Sequence, residues 1–231
     1  PPPPPPPPPP FFFLNPTPAA PILSGLVGSE MCIRDRDGMQ GGTAATQDIF
    51  IENVGLPTLA CIRPAVQALQ ELGLHRKVQL IISGGIRNGA DVAKALALGA
   101  DAVSIGTAAL IAIGDNDPKW EKEYEDLGTV PGAYDAWHEG RDPAGITTQD
   151  PELTARLNPI TAGKLLSNYL QVMTLEAQTI ARACGKNHVH NLEPEDLCAL
   201  TIEAAAMAGV PLAGTDWVPA VSYTHLRAHE T

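Results

Sequence analysis

The chain has 231 residues, 44% of them hydrophobic, which is enough for one sizeable core. Its net charge of −11 argues against nucleic acid or an anionic membrane as partner. No apolar run reaches membrane-spanning length and no basic stretch leads into an apolar one, so neither a transmembrane helix nor a signal peptide is expected.

Taken in order, residues 1–36 do not read as part of a fold. Ten prolines run into three phenylalanines, as homopolymer tracts of C and T would encode, and LVGSEMCIRDR resembles translated sequencing-adapter sequence. The tail at 219–231, with VSYTHLRAHET, has the same character. Both ends are set aside as non-native, and together they are charge-balanced.

Residues 37–47, DGMQGGTAATQ, place a Gly-Gly-Thr turn after a lost strand, with Gly41, Gly42 and Thr43 offering amides and a hydroxyl. Over 49–73 a connecting unit follows. Pro64 is expected at the first position of a helix whose buried stripe is Val66, Leu69 and Leu72, and Gly73 ends it.

The informative stretch is 78–110, VQLIISGGIRNGADVAKALALGADAVSIGTAAL. It reads as a buried parallel strand over 78–82, a glycine turn, and a helix capped by Asn88 with Val92, Ala93, Leu96 and Ala97 at helical spacing. A second strand over 102–105 and a second glycine turn lead into another helix at 108–110. Two glycine turns at the carboxyl ends of parallel strands aim bare amides at one point, and that is a phosphate cradle. Ordinary βα turns with small residues would leave a similar pattern, but its doubling favours phosphate. In a (β/α)8 TIM barrel these are the loops after strands 7 and 8.

Beyond 110 the barrel pattern stops. Residues 115–150 are rich in Asp, Glu, Gly and Pro with Trp120, Tyr124, Tyr134 and Trp137 among them, and read as an ordered, irregular lid taken to span 115–163. Asp135, Glu139 and Asp142 are read as a solvated acidic face of it. A C-terminal helical extension fills 164–218, with an amphipathic helix over 165–184 and a second over 194–208 that starts at Pro194. His188 and His190 have no third ligand nearby and read as loop histidines. Cys32, Cys61, Cys184 and Cys198 lie far apart without metal-ligand spacing, as reduced thiols of a cytoplasmic protein would.

The order GGTAATQ, SGGIRNGADVAKALALGADAV, IGTAAL, AGITTQDPEL resembles the FMN-binding glutamate synthase family, and the cysteine-free lid is most similar to the glutamate-synthase-like subunit of N-methylglutamate synthases. GGTAATQ stands where the family has GGTGA, with Ala44 in place of glycine, and AGITTQ where it has CPVGIATQ. The resemblance implies an α/β chain. Residues 37–114 would be the C-terminal part of an FMN-binding TIM barrel, followed by the lid and the helical extension. It implies that Ser83, Gly84, Gly85, Arg87, Gly106 and Thr107 hold the FMN phosphate, with Gly41, Gly42 and Thr43 nearer the ring and substrate. It implies reductive amination of 2-oxoglutarate by ammonia or methylamine. Glutamine hydrolysis would fall to a glutaminase-like partner subunit, alongside other synthase subunits. With most of the barrel outside this sequence, no activity is expected of the chain alone.

In that family three cysteines hold a three-iron cluster. Here Asp115, Trp137 and Asp142 stand at those positions, and a cluster needs thiolates, so it is expected to be absent. Another FMN barrel, an α-hydroxy-acid oxidase or the flavin isopentenyl diphosphate isomerase, is the alternative enzyme; an oxidase would need a catalytic histidine, for which His75 is the candidate. An inactive barrel fragment serving assembly is the non-enzymatic alternative.

Overall fold

A computed structural model describes residues 32–41, 53–132 and 140–219, the first six of them as backbone only. Its centre is the strand predicted first. Val78–Ser83 (β2) lies between two parallel neighbours, Cys32–Asp37 (β1) and Ala102–Ser104 (β3), in the order β1-β2-β3. The helix Gly89–Ala97 (α2) joins β2 to β3. The expected strand–helix–strand unit is therefore present, with both strands adjacent and parallel.

Strand β1 takes in residues 32–36 of the segment set aside as non-native. Residues 32–36 pair with β2 in continuous register, Cys32 opposite Val78 through Asp37 opposite Ser83. Strand pairing is made by backbone groups, so the open edge of β2 accepts the extended segment beside it whatever its side chains. Residues 1–31 and 220–231 lie outside the described residues.

The strand β2 is also not buried on both faces as a parallel strand usually is. Val78, Leu80 and Ile82 are sealed at 2%, 2% and 0% exposure, while Gln79 is exposed and Ile81 and Ser83 are half-buried. The sealed face packs on the helix Thr58–Glu71 (α1) through Ile62 and Val66, on Leu98 beyond α2, and on the helix Ile202–Ala208 (α7) through Ala205. The opposite face is open. Asp101 locks the β2–β3 junction: its carboxylate accepts the Leu80 amide at 2.8 Å, and its own amide donates to the Leu80 carbonyl at 2.8 Å.

Helix α1 starts six residues before the proline expected to open it, so Pro64 sits inside the helix with its ring exposed. The start is fixed from a distance. Gln40 Oε1 accepts both the Thr58 amide and the Thr58 hydroxyl at 2.8 Å, which caps the helix from another turn. The buried stripe is consequently Ile62, Ala65 and Val66, with Leu69 half-buried and Leu72 40% exposed.

After the helix Thr107–Ala112 (α3) come the short helices Glu121–Leu127 (α4) and Pro151–Thr154 (α5), then the long helix Pro159–Ala183 (α6). Helix α6 begins before the predicted 165 because Asn158 Oδ1 accepts the Ile160 and Thr161 amides and Pro159 occupies the first position. It packs on α2 along Ala93, Ala97, Ala177 and Ala181. The helix expected over 194–208 is broken in two. A single 3₁₀ turn covers Pro194–Asp196, and α7 starts only at Ile202, capped by the Thr201 side chain on the Ala204 amide. The break is the exchange at Ala199, whose amide donates to the Pro211 carbonyl and whose carbonyl accepts the Ala213 amide.

Candidate functional site

Both glycine turns stand where expected. Gly84 (φ +107°) and Gly85 (φ +74°) follow β2 with backbone angles that a side chain would strain, and Gly106 and Thr107 follow β3 into α3. Because β2 and β3 are parallel neighbours paired at Ser83 and Ser104, the two turns open at the same end of the sheet. Gly85, Gly106 and Thr107 are exposed, and a Cβ built on Gly106 would meet nothing within 4 Å. Among the described residues the amides of Gly85 and Gly106 donate to no acceptor. The donor set and the open space fit an anion, as the phosphate of FMN requires.

A third turn is knotted into this pair. A Cβ on Gly84 would sit 2.6 Å from Thr58 Oγ1 and 3.0 Å from the Gly41 amide nitrogen, so the 38–41 turn lies against the 84–85 turn. Thr58 Oγ1 reaches the Gly84 carbonyl at 2.9 Å, and the Gly38 amide donates to the Ser83 carbonyl at 3.1 Å. The structure thus brings Gly41, Ser83, Gly84 and Gly85 together, while Gly42 and Thr43 lie outside the described residues. Thr58 and Gln40, which hold the knot, were missed by sequence reasoning; the only trace is a hydroxyl residue after Pro57 and a glutamine before the Gly41-Gly42 pair.

Arg87 is placed differently. Its side chain is 77% exposed with Nε 3.6 Å from Asp91, and its carbonyl accepts the Tyr169 hydroxyl. The N-terminus of α2 is also occupied by the protein's own groups: Asn88 accepts the Asp91 amide, and Glu176 Oε2 accepts the Gly89 amide at 2.8 Å. Burial raises the Tyr169 phenol above its usual value, with the Glu176 and Asp91 carboxylates adding to it. His75 lies just before β2, bridged to Val78, at the end of the strand away from the glycine turns. A strand of that length spans roughly 17 Å, so His75 is no partner for chemistry at the cradle.

The expectation of a solvated acidic face fails at Asp142. Asp115 is 0% exposed and Asp142 is 8% exposed, and the buried phenol of Tyr124 lies between them, 2.9 Å from Asp115 Oδ1 and 3.1 Å from Asp142 Oδ1. Asp142 also accepts the amides of Ala144, Ile146 and Thr147 at 3.0, 2.7 and 2.8 Å. Burial first, then the two carboxylates, push the Tyr124 phenol far above its ordinary value. Asp135, Trp137 and Glu139 lie outside the described residues. Two carboxylates already engaged by backbone amides do not fit an iron–sulfur cluster, which is held by thiolates. Among the described residues no three His, Cys, Asp or Glu side chains gather at one point, and no helix is long and apolar enough to cross a membrane.

Residues 18–118 and 133–187 match the family described as the conserved region in glutamate synthase. The chain belongs to that family. Among relatives, it is 83% identical over 183 residues to the glutamate synthase large subunit-like protein of Rhizobium meliloti, covering 79% of this chain and 41% of that protein. It is 36% identical over 197 residues to the archaeal-type glutamate synthase [NADPH] of Dehalococcoides mccartyi, covering 84% of this chain and 36% of that protein. To the ferredoxin-dependent glutamate synthase 1 of Arabidopsis thaliana it is 27% identical over 216 residues, 90% of this chain and 12% of that protein. The chain thus spans well under half the length of the curated relatives it matches. The family match enters the N-terminal segment set aside above from residue 18.

Proposed function

We propose that this sequence is the C-terminal part of a longer, cytoplasmic FMN-dependent synthase that reduces the imine of 2-oxoglutarate with ammonia or methylamine, giving glutamate or N-methylglutamate. The carrying observation is the pair of glycine turns at one end of adjacent parallel strands, with open space over Gly106. Membership of the glutamate synthase family supports an oxidoreductase. The open face of β2 supports a closed barrel, whose remaining staves would bury Gln79 and Ile81. FMN, when bound, supplies hydride to the imine carbon. The amides of Gly84, Gly85, Gly106 and Thr107 hold its phosphate, with Ser83 and Arg87 beside them and Gly41, Gly42 and Thr43 toward ring and substrate. The proton donor belongs to the earlier strands of the barrel, and ammonia reaches the site from a glutaminase-like subunit or from solution.

The clean test is Gly106→Val in the full-length parent. A Cβ here meets no protein atom within 4 Å, so the side chain enters the open space over the turn. Flavin retained after gel filtration should fall to near zero in a variant whose circular dichroism shows the fold is kept. Full retention of flavin would place the phosphate elsewhere.

The synthase in this reading carries no three-iron cluster, because Asp115 and Asp142 are committed to Tyr124 and to backbone amides. The anaerobically purified parent should contain flavin without stoichiometric iron or acid-labile sulfide. A cluster found there would have to recruit thiolates such as Cys61, Cys184 or Cys198, and the match of the 115–163 segment to the family's cysteine positions would fall.

A further inference from the structure

The two carboxylates beside Tyr124 each organise a different loop. Asp115 Oδ2 accepts the Gly132 amide at 2.7 Å, and Asp142 gathers the amides of Ala144, Ile146 and Thr147. Gly132 in turn abuts the phosphate turn, since a Cβ built on it would stand 2.7 Å from Thr107 Cγ2. A continuous set of contacts therefore runs from Thr107 through Gly132, Asp115 and Tyr124 to Asp142 and its loop. Arg156 adds a second tie, donating to the Pro143 carbonyl at 3.0 Å and to Glu123 of α4 at 2.7 Å.

We propose that Tyr124 is a positioning residue: its hydroxyl locks the 129–132 and 142–147 loops to each other and seats Gly132 against Thr107 in the flavin-phosphate turn. The inference rests on the phosphate reading only for its last contact. A phenol has one hydrogen, and two carboxylate oxygens lie within bonding distance of it, so the carboxylates of the two loops share that single hydrogen. Its hydrogen is secure, because burial and the neighbouring charges disfavour the phenolate. Removing the hydroxyl leaves two buried carboxylates facing an apolar ring, and a buried acceptor without its donor is costly. Asp115→Asn makes the opposite prediction. Its NH2 can donate to the phenol oxygen while its carbonyl keeps the Gly132 amide, and the phenol then donates to Asp142 alone.

The test uses the full-length parent, with backbone amide exchange of both loops and FMN affinity by fluorescence quenching as separate readouts. Tyr124→Phe should raise exchange in 129–132 and in 142–147 about tenfold, leave α6 unchanged, and weaken FMN about tenfold. Asp115→Asn should leave exchange and FMN affinity within about twofold of wild type. Faster exchange in neither loop, or in one alone, overturns the coupling. Loosening of both with unchanged FMN affinity overturns the link to the phosphate turn. An Asp115→Asn defect as large as that of Tyr124→Phe overturns the single-donor account. Should Tyr124→Phe fail to fold, Gly132→Ala decides: its Cβ would stand 2.7 Å from Thr107 Cγ2 on a backbone of φ +77° that alanine rarely adopts, so unchanged FMN affinity in that variant overturns the link to the phosphate turn. A wild-type parent that binds no FMN defeats the functional reading instead, while the exchange arms still judge the coupling.

Discussion

Gly89→Val is expected to cost on the order of 3–5 kcal/mol of stability, a large share of the 5–15 kcal/mol typical of a domain. A Cβ at Gly89 would lie 2.3 Å from the Glu176 Cβ, 2.4 Å from the Met173 carbonyl oxygen and 2.7 Å from the Ala177 nitrogen. Two of those atoms are backbone in the middle of a 25-residue helix, so they cannot swing aside. The substitution forces α2 and α6 apart at a seam of small side chains, Ala93 and Ala97 against Ala177 and Ala181. It also breaks the bond from the Gly89 amide to Glu176, which is charge-assisted. Urea unfolding of the parent checks this, with Gly163→Ala as the companion. Gly163 lies on the exposed side of the same helix with open space around its Cβ, and alanine there should stabilise by about 0.5–1 kcal/mol. Equal midpoints for Gly89→Val and wild type would show that the close helix approach does not hold the two together.

What the sequence made legible is what lies close together in it. The β2–α2–β3 unit is written within one stretch of 78–110, with an apolar run, an Asn88 cap and glycines at both turns, and it is found where read. The start of α1 was not legible, because its cap is Gln40, eighteen positions upstream, and no local pattern announces it. The break before α7 was hidden for the same reason: Ala199 leaves the helix to pair with a segment a dozen residues later. Asp142 was misread because aspartate in a polar, proline-rich stretch resembles a solvated loop, whereas three converging backbone amides bury it. The glycine turns were visible in the sequence, but the residues that set their spacing were not. Thr58 and Tyr124 act through single hydroxyls on distant partners, and composition cannot show that.

Gly38→Val should destabilise the parent by about 3 kcal/mol or more and, if the parent binds flavin as proposed, abolish flavin retention through Gly84. A Cβ on Gly38 would stand 2.1 Å from Thr58 Oγ1 and 2.5 and 2.6 Å from the Thr58 Cα and nitrogen, so α1 must shift bodily. Moving Thr58 breaks its bonds to Gln40 Oε1 and to the Gly84 carbonyl together, and the 38–41 and 84–85 turns lose their common anchor. Thr58→Val separates the two effects. It keeps the shape and the Thr58 amide bond to Gln40 but deletes the hydroxyl, at a cost of about 1–2 kcal/mol. The single hydroxyl hydrogen shared by Gln40 Oε1 and the Gly84 carbonyl is lost while the amide bond stays, so in the proposed synthase flavin affinity should drop several-fold rather than vanish. Thermal unfolding and flavin fluorescence on both variants distinguish the cases. If Thr58→Val binds flavin as wild type does, the hydroxyl is a stabilising detail of α1 and the glycine turn holds its own geometry without it.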